Sequence, residues 1–393
     1  MLVYHLLLLL ILITGYYFCE MKKSEQNTKL FLTITSVAMV AVSFLRADTV
    51  GIDYIQYRDY FLQMREGGWA FFVSDQNMYR SEFGYSLLNY LVSLVTGSVP
   101  VFMLVVSIII VGLTALLLYK YSPIPWIGMF VFLTFGFFGN SLCFLRQSLG
   151  IAIFLLAVPH LKNKKILPYM LLVLLSATFH KSMLLMIPIY FIAQIKIDWK
   201  PLTFYGIATF LILQFSWELF NFVTEFAFQH YRTEEGLYYM MGRDLPTAFV
   251  PVLMAILTLV FRDYLLSRSP TNKVLINFSF YSGLLYIMTT QHFLFQRFGV
   301  LFFTSAILVV PELVAALRDG KENAPETDRF FGIKKKEKTP EAIKAKKRRQ
   351  LAMQKHMYVY AVSVVLVVGF IYHLWILVQN RINLIPYLTF FGQ

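Results

Sequence analysis

The chain has 393 residues, of which 58% are hydrophobic, 17% are aromatic and only 15% are charged, and its net charge is +13. This composition leaves too little polar surface to cover a water-soluble globule of that length, which excludes a soluble enzyme, a collagen and a disordered chain. The two cysteines are too few for a disulfide framework.

Apolar runs recur along the sequence and predict an all-α, polytopic membrane helix bundle. At ~20 residues per crossing, about twelve spanning helices fit the chain, and the alternation typical of an outer-membrane barrel is absent. The run 2–18 is interpreted as a retained helix, because it has neither a basic n-region nor a cleavage site. The other spans are predicted near 30–45, 100–119, 124–139, 147–161, 166–180, 182–195, 202–222, 247–266, 274–290, 297–317 and 357–378.

The positions of the basic residues predict the orientation of the bundle. Of the 35 Lys and Arg residues, 25 fall at Lys120 or in loops 20–29, 162–165, 196–200, 262–273 and 318–355. The positive-inside rule assigns these loops to the cytoplasm, provided that 84–96 is a re-entrant or interfacial segment rather than a span. A thirteenth span there is the competing topology.

The chain is therefore interpreted as one integral membrane domain, 1–393, with three large loops. The loops are an outer loop at 46–83 that contains an amphipathic helix, an outer loop at 223–246 and a basic cytoplasmic loop at 318–356. We expect the basic loop to anchor the topology or to contact anionic membrane lipid. Nucleic-acid binding is not expected, because no folded domain or interleaved aromatic residues accompany the charge.

Arginine is concentrated on the side that the topology assigns to the exterior. Nine of the ten remaining basic residues are arginines, whereas the cytoplasmic set has 19 lysines and 6 arginines. The planar guanidinium can hold a phosphate or carboxylate with two hydrogen bonds. The bias predicts an extracytoplasmic site for a diphosphate or an acidic ligand, and pairing with the outward acidic residues is the alternative.

Two of these arginines, Arg146 and Arg297, stand at the start of hydrophobic helices, where a charge is costly unless it faces a polar cavity or a partner. Snorkelling to the membrane surface is the alternative for both. Gln147 follows Arg146 directly. His180 lies in a polar break between two apolar runs, where it can act as a proton carrier or a phosphate ligand, although a histidine at a turn is often structural.

The two outer loops contain the remaining candidate residues. In the first loop, Tyr54 and Tyr57 belong to an aromatic series with helical spacing, while Asp53 and Glu82 are available as base, acid or arginine partner. The second loop carries Arg232 and Arg243 among several tyrosines, a mixture that suits a sugar-binding lid and also an ordinary solvated loop. No metal, P-loop or dinucleotide motif is present, so no cofactor is expected.

Taken together, the short motifs resemble the EpsG-like family of Wzy-type polymerases for exopolysaccharide and O-antigen. The motifs are Arg46 with Val50-Gly51-Ile52-Asp53-Tyr54-x-x-Tyr57, then Glu82-Phe-Gly84-Tyr85, Arg146-Gln147, His180-x-Ser182, Gln296-Arg297-Phe298 and Pro386-Tyr387. They are spread over nearly the whole chain. Ile52 and Gly150 depart from the residues usual in the family, which are threonine and alanine.

The resemblance implies a multi-helix, GT-C-like glycosyltransferase in the bacterial cytoplasmic membrane, with its active site on the outer face. Its substrate would be an undecaprenyl-diphosphate-linked oligosaccharide, and the growing glycan would move to the non-reducing end of an incoming lipid-linked unit. A chain-length regulator and a flippase would be its partners. The alternatives are an O-antigen ligase, which uses the same donor, and a lipid-linked oligosaccharide flippase or other transporter.

As a hypothesis on mechanism, Arg146 and Arg297 bind the donor diphosphate together with Gln147 and Arg46. His180, Asp53 or Glu82 would take the proton of the acceptor hydroxyl. Contacts with the glycan are expected from Tyr54, Tyr57, Arg232 and Arg243.

Overall fold

The apolar runs of the sequence fold as helices throughout the described part of the chain, and most of these are α-helices. The computed structural model describes residues 1–215, 218, 245–320 and 340–391. The all-α prediction is confirmed for these residues. The α-helices are α1 (Leu2–Gly15), α2 (Glu25–Leu45), α3 (Tyr54–Val73), α4 (Phe83–Val95), α5 (Val99–Tyr121), α6 (Pro125–Thr134), α7 (Phe137–Cys143), α8 (Leu145–Leu155), α9 (Val158–Lys162), α10 (Ile166–Phe179), α11 (Met186–Ile192), α12 (Trp199–Gln214), α13 (Pro246–Val260), α14 (Arg262–Arg268), α15 (Lys273–Met288), α16 (Leu294–Phe303), α17 (Ala306–Asp319) and α18 (Pro340–Gln379).

Four of the described helical segments are long and apolar enough to cross a membrane. They are Leu2–Met21, Glu25–Leu45, Val99–Tyr121 and Gln354–Gln379. Three bent pairs raise the number to seven if each pair is one span, namely α6 with α7, α13 with α14 and α16 with α17, whose bends are 54°, 67° and 44°. The protein is thus a membrane protein by its helices, but the prediction of about twelve full spans is not confirmed.

The structure has fewer full-length spans than predicted because the helix is interrupted within several apolar runs. Gly136 directly precedes α7 and has a φ of 81°, a left-handed conformation that separates α6 from α7 inside the predicted span 124–139. The predicted span 147–161 is divided into α8 and α9. His180 is extended and separates α10 from the 3-10 turn Lys181–Leu185, so the predicted span 166–180 contains only a 14-residue helix. Such a helix is ~21 Å long, shorter than the ~30 Å hydrocarbon core.

Polar contacts between loops mark one end of the bundle, which we call the lysine end because Lys22, Lys120 and Lys162 lie there. Tyr119 at the end of α5 donates a hydrogen bond to Glu25 at the start of α2, at 2.6 Å. Lys162 Nζ donates to Asn272 Oδ1 at 2.8 Å. Tyr121 and Lys162 also line one small pocket, so these described basic segments meet at one end. The opposite end contains Arg46, Arg146, Arg297 and Arg381, and we call it the arginine end.

Helices α3 and α4 pack together at the arginine end. The face of α3 that carries Tyr54, Tyr57 and Tyr60 is buried, and Tyr60 stacks on Tyr85 of α4 with ring centroids 5.8 Å apart. The aromatic series at helical spacing therefore packs within the protein. The 13 residues of α4 reach only ~20 Å, too short for a crossing.

The segment that follows α18 lies across the loop between α2 and α3. The backbone N–H groups of Ala47, Gly51 and Ile52 donate to the carbonyls of Leu388, Asn383 and Ile382, at 2.8, 2.9 and 3.2 Å. Tyr387 donates to the Val42 carbonyl at 2.7 Å. We call residues 380–391 the C-terminal strap, since they fix this loop at the arginine end.

Most of the second outer loop and much of the basic loop lie outside the described residues. The undescribed parts are 219–244 and 321–339. Arg232 and Arg243 fall within the first of these, so their predicted contacts with glycan remain predictions.

Candidate functional site

A cavity of about 300 Å³ lies among the helices at the arginine end. Its walls come from the start of α3, from α5 to α8, from the end of α10, from α16 and from the C-terminal strap. Its polar lining comprises Asp53, Tyr57, Thr114, Asn140, Ser141, Arg146, Gln147, Ser148, His180, Gln296, Arg297, Thr304 and Arg381. Its apolar lining includes Ile110, Phe132, Phe137, Ile151, Leu155 and Val300. One cavity therefore offers both cationic groups and a hydrocarbon surface.

Arg146 belongs to the first turn of α8, immediately after the break at Phe144 that ends α7. Its NH1 donates to Glu82 Oε2, and its guanidinium carbon lies 4.0 Å from the ring centroid of Tyr79. The side chain is 23% exposed. The carboxylate and the ring fix the guanidinium from one side while the residue lines the cavity, an arrangement that preorganises it for an anion.

Glu82 lies behind the cavity and holds two of its residues in place. Besides Arg146, it accepts hydrogen bonds at Oε1 from His180 Nδ1, at 3.1 Å, and from the backbone N–H of Lys181, at 3.2 Å. Burial opposes ionisation, but the hydrogen bond from His180 and the charge of Arg146 together lower the pKa of Glu82. Both oxygens are engaged and the side chain is 6% exposed. The geometry therefore favours a positioning role over that of a base.

His180 follows the last residue of α10 and lines the cavity with its side chain 22% exposed. An ionised carboxylate can only accept hydrogen bonds, so the contact with Glu82 requires a hydrogen on Nδ1. This tautomer leaves Nε2 as the nitrogen that can accept a proton. Carboxylate and imidazole are thus arranged as in general-base sites where an acid orients a histidine.

Asp53 is the carboxylate that lines the cavity itself. It follows Gly51, which has a φ of 104° and lies so close to the Leu142 carbonyl that an added Cβ would be 2.9 Å from that oxygen. Burial raises the pKa of Asp53, while Arg297 and Arg146 act in the opposite direction. A carboxyl with a raised pKa is a stronger base than an ordinary one, and it is also able to bind sugar hydroxyls.

Arg297 and Gln147 join two walls of the cavity. The Gln147 side chain of α8 donates from Nε2 to the backbone carbonyl of Arg297 in α16, at 3.0 Å. Both residues line the cavity. Arg146 and Arg297 therefore approach the same space from different helices, although 150 residues separate them in sequence.

Arg46 and Tyr54 do not line the cavity, which differs from the prediction that they contact diphosphate and glycan. Arg46 is 1% exposed, donates from NH1 to the Leu142 carbonyl at 2.6 Å and lies 5.1 Å from the Tyr54 ring centroid. Tyr54 is itself buried. Arg46 thus connects the end of α2 to the end of α7 behind the cavity wall, with Tyr54 packed against it. A guanidinium at a helix end can donate hydrogen bonds to backbone carbonyls as well as to a ligand.

Several lining residues were not predicted as part of the site. They include Arg381, Asn140, Ser148 and Thr304. Arg381 belongs to the outward arginine set, but its sequence position gives no indication that it lines the same cavity as Asp53 and Arg146. Within the described part of the chain, no group of three or more His, Cys, Asp or Glu residues could hold a metal ion.

A model of the EpsG family matches residues 29–324. The match spans about three quarters of the chain and includes Asp53, Glu82, Arg146, His180 and Arg297. No curated protein and no solved structure matches the chain. The chain belongs to the EpsG family, which indicates a glycosyltransferase-like polymerase of polysaccharide biosynthesis.

Proposed function

We propose that this member of the EpsG family joins oligosaccharide repeat units carried on undecaprenyl diphosphate. The reaction would take place in the cavity at the arginine end, on the outer face of the cytoplasmic membrane. Exopolysaccharide, capsule or O-antigen synthesis would be the process that it serves.

The observation that carries the proposal is the mixed lining of the cavity. Arg146, Arg297 and Arg381 offer guanidinium groups that match phosphate oxygens, while Ile110, Leu155 and other apolar residues line the rest. A prenyl diphosphate has this same division into an anionic head and a hydrocarbon chain. A volume of about 300 Å³ lies at the lower limit for ligand pockets. It would hold the diphosphate and the sugar next to it, with the rest of the glycan and lipid outside.

The proposed reaction is a displacement at the anomeric carbon of the donor glycan. The acceptor hydroxyl oxygen forms a bond to that carbon, and the bond between the carbon and the phosphate oxygen breaks. The proton of the hydroxyl passes to a base, and the diphosphate leaves on its lipid. Arg146 and Arg297 would stabilise the charge that develops on the leaving oxygen. The glycosyl diphosphate bond supplies the free energy, so the reaction needs no nucleotide.

His180 is the base that the geometry supports best. Glu82 fixes its Nδ1–H tautomer, so that Nε2 is the proton acceptor. Asp53 would then bind hydroxyls of the acceptor sugar, while the Tyr57 ring would pack against a sugar face. Asp53 as the base is the alternative, since it also lines the cavity.

An O-antigen ligase is the second candidate, because it would use the same donor with another acceptor. A flippase would need a polar path through the whole bundle. Apolar residues line much of the cavity, and at the lysine end Glu312 is engaged with Arg268 at 3.2 Å and with Asn272 at 2.7 Å. These contacts favour an enzyme with its site at one end.

The deciding experiment is to delete the protein and complement the deletion with wild type, Arg297→Ala or Arg80→Ala at matched membrane levels. Arg80 is the control, because it is an exposed arginine near Glu82 that pairs with Asp75. Lipid-linked and surface glycans are then separated on a gel. We expect single repeat units to accumulate in the deletion strain and with Arg297→Ala, and long polymer with wild type and the control.

Two results would overturn the proposal. Full-length polymer retained on its lipid carrier in the deletion strain would identify a ligase. Repeat units that remain accessible only from the cytoplasm would identify a flippase.

A further inference from the structure

The C-terminal strap contributes a residue to the cavity although it lies outside the matched region of the family. Arg381 lines the cavity together with Ile382, whereas the family match ends at residue 324. The strap follows α18 directly, so one of the long membrane helices delivers it to the arginine end.

Contacts with two helices hold the Arg381 side chain. NH1 donates to Thr247 Oγ1 in α13 at 3.0 Å, and the guanidinium carbon lies 5.5 Å from the ring centroid of Trp375 in α18. Thr247 is 4% exposed. The hydroxyl and the aromatic face orient the guanidinium at the cavity wall, where its planar N–H groups are suited to bind an anion.

The strap also fixes the loop that holds Asp53. Its Ile382 carbonyl accepts hydrogen bonds from the Ile52 N–H at 3.2 Å and from Cys143 Sγ at 3.3 Å. Asn380 shapes the strap itself, since its side chain donates to the Ile385 carbonyl and accepts from the Ile385 N–H, at 2.6 and 2.9 Å. Arg381 is therefore held in a folded segment rather than on a free tail.

We propose that Arg381 is a third phosphate-binding arginine, and that the strap completes the donor site. The proposal rests on the function proposed above. A glycosyl prenyl diphosphate carries about two negative charges, and cleavage of its glycosyl bond leaves a prenyl diphosphate with about three. Arg146 and Arg297 bind the donor diphosphate, while Arg381 supplies a further cation for the charge that appears as the diphosphate leaves.

Farnesyl diphosphate is a suitable probe, because it has the charge and the chain chemistry of the leaving group. Its affinity is measured on the full-length protein in detergent, with wild type, Arg381→Ala, Arg381→Lys and the control Arg80→Ala. We expect Arg381→Ala to weaken binding about tenfold or more and Arg381→Lys to weaken it less, because lysine keeps the charge but loses the fork. Farnesyl monophosphate should bind weakly and discriminate little between the proteins.

The repeat-unit transfer assay gives a second readout. Arg381→Ala should lower kcat more than it raises the KM for the lipid-linked donor, since the third charge develops during the reaction. Thr247→Val, which removes the hydroxyl that accepts the hydrogen bond from Arg381, should lower kcat and raise the KM by less than Arg381→Ala does. This variant tests the inference even if Arg381→Ala folds poorly.

Farnesyl diphosphate affinity unchanged by Arg381→Ala, together with a clear loss in Arg297→Ala, would overturn the role of Arg381 and leave the proposed function intact. If wild type itself bound no farnesyl diphosphate, the diphosphate site and the inference would both fail.

Discussion

His180 Nδ1 lies 3.1 Å from Glu82 Oε1, while the other oxygen of the same carboxylate accepts a hydrogen bond from Arg146. One buried carboxylate thus positions both a candidate base and a candidate phosphate ligand. The three residues come from three segments: the N-terminus of α4, the start of α8 and the end of α10. The relative geometry of base and cation therefore depends on Glu82.

Replacement of Glu82 by Gln should abolish most of the transfer activity but leave binding of the lipid-linked unit largely intact. The amide has no negative charge to stabilise the Nδ1–H tautomer of His180, so we expect transfer turnover to fall by about 10² or more. The KM for the lipid-linked unit should change much less. Glu66→Gln is the control, because Glu66 is an exposed carboxylate on α3. Near-normal turnover of Glu82→Gln would show that His180 does not depend on this contact.

Replacement of Asp53 by Asn should stabilise the fold at neutral pH while it lowers activity. Burial raises the pKa of Asp53 in the folded state. Below its unfolded pKa of ~4, Asp53 is protonated in both states and does not oppose folding. As the pH rises through its folded pKa, the folded state becomes less stable relative to the unfolded state. The ionised Asp53 therefore destabilises the folded state at pH 7, and the neutral amide of Asn removes this destabilisation.

The measurement is thermal unfolding in detergent between pH 4 and pH 8. We expect a higher midpoint for Asp53→Asn than for wild type at pH 7, with a difference that shrinks towards pH 4. Asp75→Asn, at an exposed carboxylate whose side chain is 97% accessible, should leave the midpoint unchanged. A lower midpoint for Asp53→Asn at pH 7 would contradict the argument.

The sequence predicted the helical class correctly, and five residues that it singled out are brought together by the fold. Arg146, Gln147, Arg297, His180 and Asp53 all line one cavity. Arg146 and Arg297 were singled out because a charged group at the start of an apolar run is costly unless it faces a polar space, His180 because it lies in a polar break, and Asp53 because it is a carboxylate of the first outer loop. For the two arginines, the physical reason behind the prediction is also the reason that they line one polar cavity.

Other features could not be predicted, because they depend on backbone angles and long-range contacts. An apolar run does not reveal that Gly136 will adopt a left-handed conformation and divide a span. Arg46 and Arg146 both follow apolar segments, yet one braces backbone carbonyls and the other lines the cavity. Arg381 reaches the cavity only because α18 returns the chain to the arginine end.

Replacement of Arg146 by Lys tests whether the fork of the guanidinium matters as well as its charge. Lysine cannot contact Glu82 and a phosphate with the same planar geometry. We expect transfer turnover to fall about 10²-fold, the usual cost of one lost donor at a developing charge. Arg80→Lys serves as the control, and repeat-unit transfer is measured at equal protein levels. Near-normal polymer from Arg146→Lys would argue against a phosphate contact at this residue.

Replacement of Arg46 by Met distinguishes a brace from a ligand. Arg46 is 1% exposed and bonded to the Leu142 carbonyl, so the change leaves that carbonyl unpaired and should cost about 2 to 4 kcal/mol of stability. The thermal midpoint should fall, while the folded protein should bind farnesyl diphosphate with an affinity within twofold of wild type. A tenfold loss of affinity at an unchanged midpoint would instead support the diphosphate contact that the sequence suggested.

Replacement of Gly51 by Ala should disturb the loop that carries Asp53. Gly51 has a φ of 104°, and an added Cβ would lie 2.9 Å from the Leu142 carbonyl oxygen, so strain and collision together should cost about 1 to 3 kcal/mol. Because Gly51 also donates to the Asn383 carbonyl of the strap, the shift should reach both Asp53 and Arg381. Transfer activity should therefore fall along with the thermal midpoint.

Gly112→Ala is the matched control for this change. Gly112 lies inside α5, and a Cβ added there meets no atom within 4 Å. Alanine is favoured over glycine in a helix by up to ~1 kcal/mol, so this variant should keep its activity and its midpoint or unfold at a slightly higher temperature. Equal behaviour of the two alanine variants would mean that the Asp53 loop tolerates displacement. The close approach of Gly51 to α7 would then have no part in setting the site.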